Sequence, residues 1–140
     1  MPLIDTNVIS ELRKRQRANP LVLDWFRNHE PREIFLSVLT LGELRHGMER
    51  VRRRDPKAAI ALGRWMDDIL RSFTDRILDV DRAIADRWGR LGIPDPVPDV
   101  DGLIAATALE HDLIVVTRNV KHVAPTGARY FNPFEGHSTP

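Results

Sequence analysis

With 140 residues and 42% hydrophobic content, the chain is long enough for one domain to bury most of its apolar surface without covalent staples. It contains no cysteine, which excludes disulfides, zinc–thiolate sites, thiol nucleophiles and iron–sulfur clusters, so any metal must be held by oxygen or imidazole. The net charge is only +1, which excludes a polyelectrolyte that binds nucleic acid through bulk charge and leaves only local clusters for such contacts.

In chain order, the first apolar run, Pro2–Ile4, reads as a strand and ends directly on Asp5. Arg13, Lys14, Arg15 and Arg17 follow as a basic cluster, and Asn19-Pro20 supplies a capping residue with proline at the first helical position. Residues 34–37 read as a second strand. From 40 to 51, Leu41, Leu44, Met48 and Val51 recur at helical spacing and predict one buried stripe with Glu43 beside it. Arg50, Arg52, Arg53, Arg54 and Lys57 form a second basic cluster around the helix start at Asp55-Pro56. Either cluster can track phosphates or stand as a solvated helix face.

Residues 77–80 predict a third strand, and residues 81–91 a helix carrying Ile84 and Trp88. Three prolines and a glycine then make 92–98 a rigid loop. A small-residue helix over about 101–111, with Ala105, Ala106 and Ala108, allows close approach to a sheet. Strands at 113–116 and 129–131 complete the pattern, and 136–140 is expected to be a flexible tail beyond a single domain of residues 1–135. Five short strands interleaved with helices predict an α/β fold with a mostly parallel sheet covered on both faces.

In such a sheet, ligands bind beyond the carboxyl ends of the strands. Asp5 falls there by its position, although it could equally cap the helix that starts near Asn7. Asp101 stands at the start of the 101–111 helix, where the dipole favours negative charge, and Asp99 competes with it for the cap. Glu43 has its own structural alternative, because Thr40-Leu41-Gly42-Glu43 matches a capping box. Gly47 lies one turn later and leaves room for a backbone or substrate to pass. Three gathered carboxylates repel one another unless a cation sits among them, and Mg²⁺ or Mn²⁺ prefers such oxygen ligands. Phosphodiester hydrolysis is the natural chemistry of that arrangement.

These residues carry a resemblance. Leu3-Ile4-Asp5-Thr6-Asn7-Val8-Ile9-Ser10-Glu11, the segment 37–44 ending in Gly42-Glu43-Leu44, the helix with Trp88-Gly89, Asp101-Gly102-Leu103-Ile104-Ala105-Ala106-Thr107-Ala108, the segment 113–119 and Asn132-Pro133-Phe134 together resemble the PIN-domain superfamily. Within it they resemble the VapC-like and FitB-like toxins of toxin–antitoxin pairs. The resemblance implies an RNase H-like three-layer α/β/α sandwich around a mostly parallel five-stranded sheet. It implies a Mg²⁺- or Mn²⁺-dependent endoribonuclease acting on RNA, a cognate antitoxin protein, a homodimer, a higher assembly with the antitoxin, and indirect DNA binding through it. By the same resemblance Asp5, Glu43 and Asp101 are the catalytic acids and metal ligands, Asp101 being selected over Asp99. Thr6 and Asn7 support the first acid, and Thr117 supplies a hydroxyl. Asn119 stands where many members carry a fourth acid, which would weaken a second metal position. Arg118 beside it is placed to contact an RNA phosphate or a surface acid.

The five histidines, His29, His46, His111, His122 and His137, show no metal-ligand spacing and read as surface or helix-end residues. Trp25, Trp65 and Trp88 read as core or oligomer contacts. Two rivals remain. A haloacid-dehalogenase-type phosphatase would use Asp5 as nucleophile, but it needs an acid where Asn7 stands. In a non-catalytic partner-binding module, the acids would serve only as caps. No apolar run is long enough to span a bilayer, and no signal peptide is recognisable, so a cytoplasmic location is expected.

Overall fold

The computed structural model describes residues 1–135, and the tail expected at 136–140 lies outside the described residues. All five expected strands form, the first at its expected bounds and the other four trimmed to two or three residues: β1 Pro2–Ile4, β2 Leu36–Ser37, β3 Ile77–Leu78, β4 Ile114–Val116 and β5 Tyr130–Phe131. They are divided between a three-stranded sheet, β1-β4-β5, and a two-stranded one, β2-β3, and every pairing is parallel. The sheets meet edge to edge at a parallel bridge between Leu3 and Phe35. There Ile4 N–H donates to Phe35 O at 3.0 Å and Phe35 N–H to Pro2 O at 2.9 Å. The resulting strand order is β3-β2-β1-β4-β5, with the N-terminal strand central.

The period-two alternation of side chains sorts the strands onto two cores. Ile4, Ile34, Leu36 and Val116 point to one face, against Val8 and Ile9 of α1 (Thr6–Leu12), Val22 and Trp25 of α2 (Pro20–Arg27), and Phe73. Leu3 and Val115 point to the other, against Ile104, Ala105 and Ala108. Those three belong to the long helix that follows the proline loop. Two further helices, α3 (Val38–Arg54) and α4 (Pro56–Ser72), form a hairpin with Asp55 alone between them. The Asp55 carboxylate caps the second of these through Ala58 N–H at 3.1 Å. Met48, Ala59 and Met66 give this arm a small core of its own.

On the opposite face lie α5 (Arg82–Gly89), α6 (Asp99–His111) and the short α7 (Val120–Val123). The alanines of α6 are fully buried, so its backbone sits close to the sheet as their size predicted. The loop before it turns at Gly92, whose φ of +75° only glycine adopts without strain, and an added Cβ there would meet Val97 N at 3.2 Å.

Leu3 is fully buried on the central strand between the sheet and α6. We expect Leu3→Ala to cost about 2–5 kcal/mol in urea denaturation, the range for a core leucine whose site cannot collapse; a cost within the scatter of surface substitutions would contradict the central position of β1.

Candidate active site

The register Ile4↔Val116 between β1 and β4 sets the next residues of the two strands, Asp5 and Thr117, side by side at the carboxyl end of the sheet. Thr117 Oγ1 donates to Asp5 Oδ2 at 2.8 Å, and Thr6 N–H donates to Asp5 Oδ1 at 2.8 Å. Asp5 is thus the N-cap residue of α1 as well as the centre of the acidic group. The capping alternative open in the sequence is realised, and the same carboxylate stands at the carboxyl end of the sheet.

Asn7 completes this frame. Its amide nitrogen lies 3.3 Å from Asp5 Oδ2 and 3.2 Å from Thr117 Oγ1, and its amide oxygen accepts from Arg118 N–H at 3.1 Å. An amide committed on both ends orients Asp5 but cannot protonate a leaving group, which removes the acid that a phosphatase of the kind considered above requires.

Asp5 is only 4% exposed, and burial raises its pKa above the ordinary value of 3.8. The hydrogen bonds from Thr117 and Thr6 partly offset that rise, while the negative charges of Asp101 and Glu43 add to it. Both other acids therefore lie close enough to Asp5 to act on its charge.

Glu43 is placed by α3. The capping box expected at Thr40 does not form, because the helix starts earlier, at Val38, with Ser37 as its cap donating no proton but accepting from Leu39 N–H at 3.0 Å. Thr40 is already inside the helix and fully buried, with its hydroxyl 3.2 Å from Thr6 Oγ1. Glu43 is therefore free of a capping role, and its carboxylate accepts the Thr6 hydroxyl proton. Thr6 ties α1 to α3 and links the first acid to the second.

Asp101 is placed by α6, which starts two residues earlier than predicted, at Asp99, with Pro98 in the cap position and no side-chain cap bond. Neither aspartate is the cap; both sit in the first turn, where the helix dipole favours them. Asp99 is exposed, whereas the Asp101 side chain retains 15% exposure and meets His122 Nδ1 at 2.9 Å. His122 is the residue that sequence reasoning missed. Its signal was present but faint: it lies three residues after Asn119, one helical turn along α7 from the end of β4.

Asn119 is exposed, and its backbone N–H donates to Thr117 Oγ1 at 2.9 Å. Its side-chain amide makes no hydrogen bond among the described residues. The Arg118 guanidinium lies 3.7 Å from the centroid of the Phe134 ring. That cation–π contact replaces the surface ion pair expected for it and draws the Asn132-Pro133-Phe134 segment against the site. Glu11, which sequence reasoning left without a role, is buried and accepts from Asn19 N–H at 2.8 Å and Lys14 Nζ at 3.0 Å. The Lys14 bond, followed by that from Asn19, lowers its pKa. Glu11 thereby fastens the basic turn after α1 to the start of α2.

The donor set suits a hard dication: one buried carboxylate with two like charges nearby and no arginine or lysine paired to any of the three among the described residues. Among the described residues, however, no three acidic or imidazole side chains converge on a point where one ion would touch them all. Thr6 engages one oxygen of Glu43 and His122 one oxygen of Asp101, so each carboxylate keeps a second oxygen open to an ion.

The parallel α/β sheet with its first strand central and helices on both faces agrees with the PIN domain family model, which matches the chain over residues 3–124. The chain belongs to the PIN domain family. It is 32% identical over 140 residues to the VapC ribonuclease Y4jK of Sinorhizobium fredii, covering 96% of this chain and 99% of that protein. It is likewise 32% identical over 139 residues to the toxin FitB of Neisseria gonorrhoeae, with the same shares covered. Among solved structures, FitAB bound to an IR36 DNA fragment superposes with a TM-score of 0.87 at 31% identity, covering 96% of each chain.

Because the folded pKa of Asp5 is raised, the folded state holds this proton more tightly than the unfolded state. Stability from the group is complete below pH 3.8 and is lost as pH rises through the folded pKa. Ionised Asp5 therefore works against the fold at neutral pH. We expect Asp5→Asn to raise the urea midpoint at pH 7 in chelator, with the difference closing as pH falls toward 3.8. Thr117→Val, which removes a donor from the buried carboxylate, should lower stability by about 1–3 kcal/mol at pH 7. Equal pH profiles for wild type and Asp5→Asn would show that Asp5 is not a buried, like-charged acid.

Proposed function

We propose that this chain is a Mg²⁺- or Mn²⁺-dependent endoribonuclease, the toxin of a toxin–antitoxin pair. The observation that carries it is the buried Asp5 at the carboxyl end of the sheet, framed by the neutral donors Thr117, Thr6 N–H and Asn7 with no cationic partner among the described residues. The names of its relatives, a VapC ribonuclease and the toxin FitB, support the same activity.

Asp5, Asp101 and Glu43 would hold the cation. When bound, it supplies Lewis-acid polarisation of a phosphodiester and an acidified water. The chain's own residues do the rest. Thr117 and Asn7 fix the Asp5 carboxylate in one rotamer, so that its position is not lost when substrate charge approaches. His122 holds one oxygen of Asp101, leaving the other for the ion, as outer partners of metal-ligating carboxylates do. Thr6 performs the same service for Glu43. Asn119, beside Thr117, is a neutral amide that can position water without adding charge.

The antitoxin is the second partner in this proposal, and FitAB on DNA supports an assembly in which the antitoxin brings the toxin to DNA. An apolar groove of about 420 Å³ between α1, α2 and α4, lined by Leu12, Leu23, Phe26, Trp65, Ile69 and Phe73 among others, offers the apolar surface that an amphipathic antitoxin segment or a second copy of the chain would cover. Among the described residues no helix is long and apolar enough to cross a membrane, in keeping with a cytoplasmic site of action. The partner-binding alternative retains one supporting observation, the engagement of Glu43 and Asp101 by neighbours rather than by a common ion.

Purified protein incubated with structured RNAs in Mn²⁺, Mg²⁺ or chelator separates the two. We expect metal-dependent cleavage that falls at least a hundredfold in Asp5→Asn, and a rise in melting temperature with Mn²⁺ that the same substitution abolishes, since only a ligand bound to the native state stabilises it. Cleavage that persists in Asp5→Asn, or in chelator, would reject the site; no cleavage and no metal-induced stabilisation would favour the binding module.

A further inference from the structure

Arg13 and Lys14 of the first basic cluster and Arg50 of the second, far apart in sequence, line one cleft where α1 packs against α3. The cleft has a volume of about 440 Å³; Thr6 and Glu43 meet at one place in its lining, and Ser10, Arg13, Gly47 and Arg50 line it as well. Arg50 lies seven residues beyond Glu43 on α3, two turns along one face and about 10 Å away, and Arg13 is the residue that ends α1, seven beyond Thr6. Between the acidic end and the cationic end the walls are low. Ser10 is small, and a Cβ added at Gly47 would meet nothing within 4 Å.

From this geometry, and resting on the nuclease reading above, we infer that the cleft between α1 and α3 is the track of a single-stranded RNA substrate: Arg13 and Arg50 bind its backbone phosphates on the side of Glu43 remote from Asp101. The Arg13 and Arg50 side chains make no ion pair or hydrogen bond among the described residues, whereas Lys14, at the same rim, is bound to Glu11 and contributes less. An acidic protein segment would find the same cations. However, a polyanion whose charges repeat every few ångströms also accounts for the continuity of the cleft with the acids at Thr6 and Glu43. The more apolar groove on the other side of Trp65 reaches neither.

The test uses the full chain carrying Asp5→Asn, so that RNA is bound but not cut, and a fluorescein-labelled single-stranded RNA followed by anisotropy at several salt concentrations. Adding Arg13→Ala or Arg50→Ala should each reduce the slope of log K against log salt by about 0.7, the value for one phosphate contact on a single strand. Arg52→Ala, on the same helix but outside the cleft and paired with Glu49, should leave the slope unchanged. Gly47→Leu, which adds bulk to an open position and improves helix propensity, should weaken binding at least tenfold while raising the melting temperature, which excludes unfolding as the cause. In the chain with Asp5 intact, Arg13→Ala and Arg50→Ala should raise KM for RNA several-fold and leave kcat unchanged. Unchanged slopes in both arginine variants would overturn the track, even where the parent protein cuts RNA. Competition by polyglutamate with the same affinity and slope would overturn it in favour of an acidic protein segment. Reduced slopes in a chain that cuts no RNA would keep the cleft and reject the nuclease.

Discussion

The hydrogen bond from Thr117 to Asp5 joins the ends of two parallel strands, and much of the rest of the molecule serves to make it possible. A carboxylate at 4% exposure is tolerable only if its lone pairs are met, and here a hydroxyl, a backbone N–H and an amide meet them without bringing positive charge. A register slip of one residue between β1 and β4 would turn Thr117 to the opposite face and exchange the two cores as well. Site geometry and core packing are thus specified by the same pairing.

The absence of a cationic partner for Asp5 among the described residues distinguishes this group from an ordinary buried ion pair. Glu11 provides the contrast within the same helix. It too is buried, but Lys14 and Asn19 N–H lower its pKa, and it works as a structural clasp. Asp5 is surrounded by neutral donors and by two further acids, so its negative charge stays available for something from outside. The fold bears that cost at neutral pH through its two apolar cores, of which the fully buried Leu3, Ile4, Val115 and Val116 form the shared floor.

The strands were legible because each is a short apolar run bounded by polar or turn-forming residues, and the helix starts at Pro20 and Pro56 because capping residue and proline act locally. Asp5 was legible for a similar reason: its place follows from a strand end alone. Glu43 was less so, because Thr40 and Glu43 satisfy a local rule that tertiary packing overrides. Thr40 is buried against Thr6, and the helix extends back to a different cap at Ser37. The start of α6 was misplaced by two residues because two aspartates compete in one turn, and Pro98 fills the cap position in place of either. His122 was read only as a surface or helix-end residue, since its partner Asp101 is 21 residues away and belongs to another helix. Local physics decides the first group of residues; the second depends on which elements become neighbours.

One feature of the Thr117–Asp5 contact concerns time rather than space. Its partners are 112 residues apart, and β4 is clamped from its far side by β5, with Arg118 resting on Phe134 just beyond. A ribosome adding about 5–20 residues per second therefore exposes the first acid several seconds before it supplies the strand that orients it. Until the last stretch of the chain has emerged, Asp5 has no Thr117, and α6 has no α7 to bring His122 to Asp101. A nascent or prematurely ended chain carries all three acids without their frame. On the proposed reading of the three acids, the order of synthesis leaves the centre without its frame until β4 and α7 have emerged.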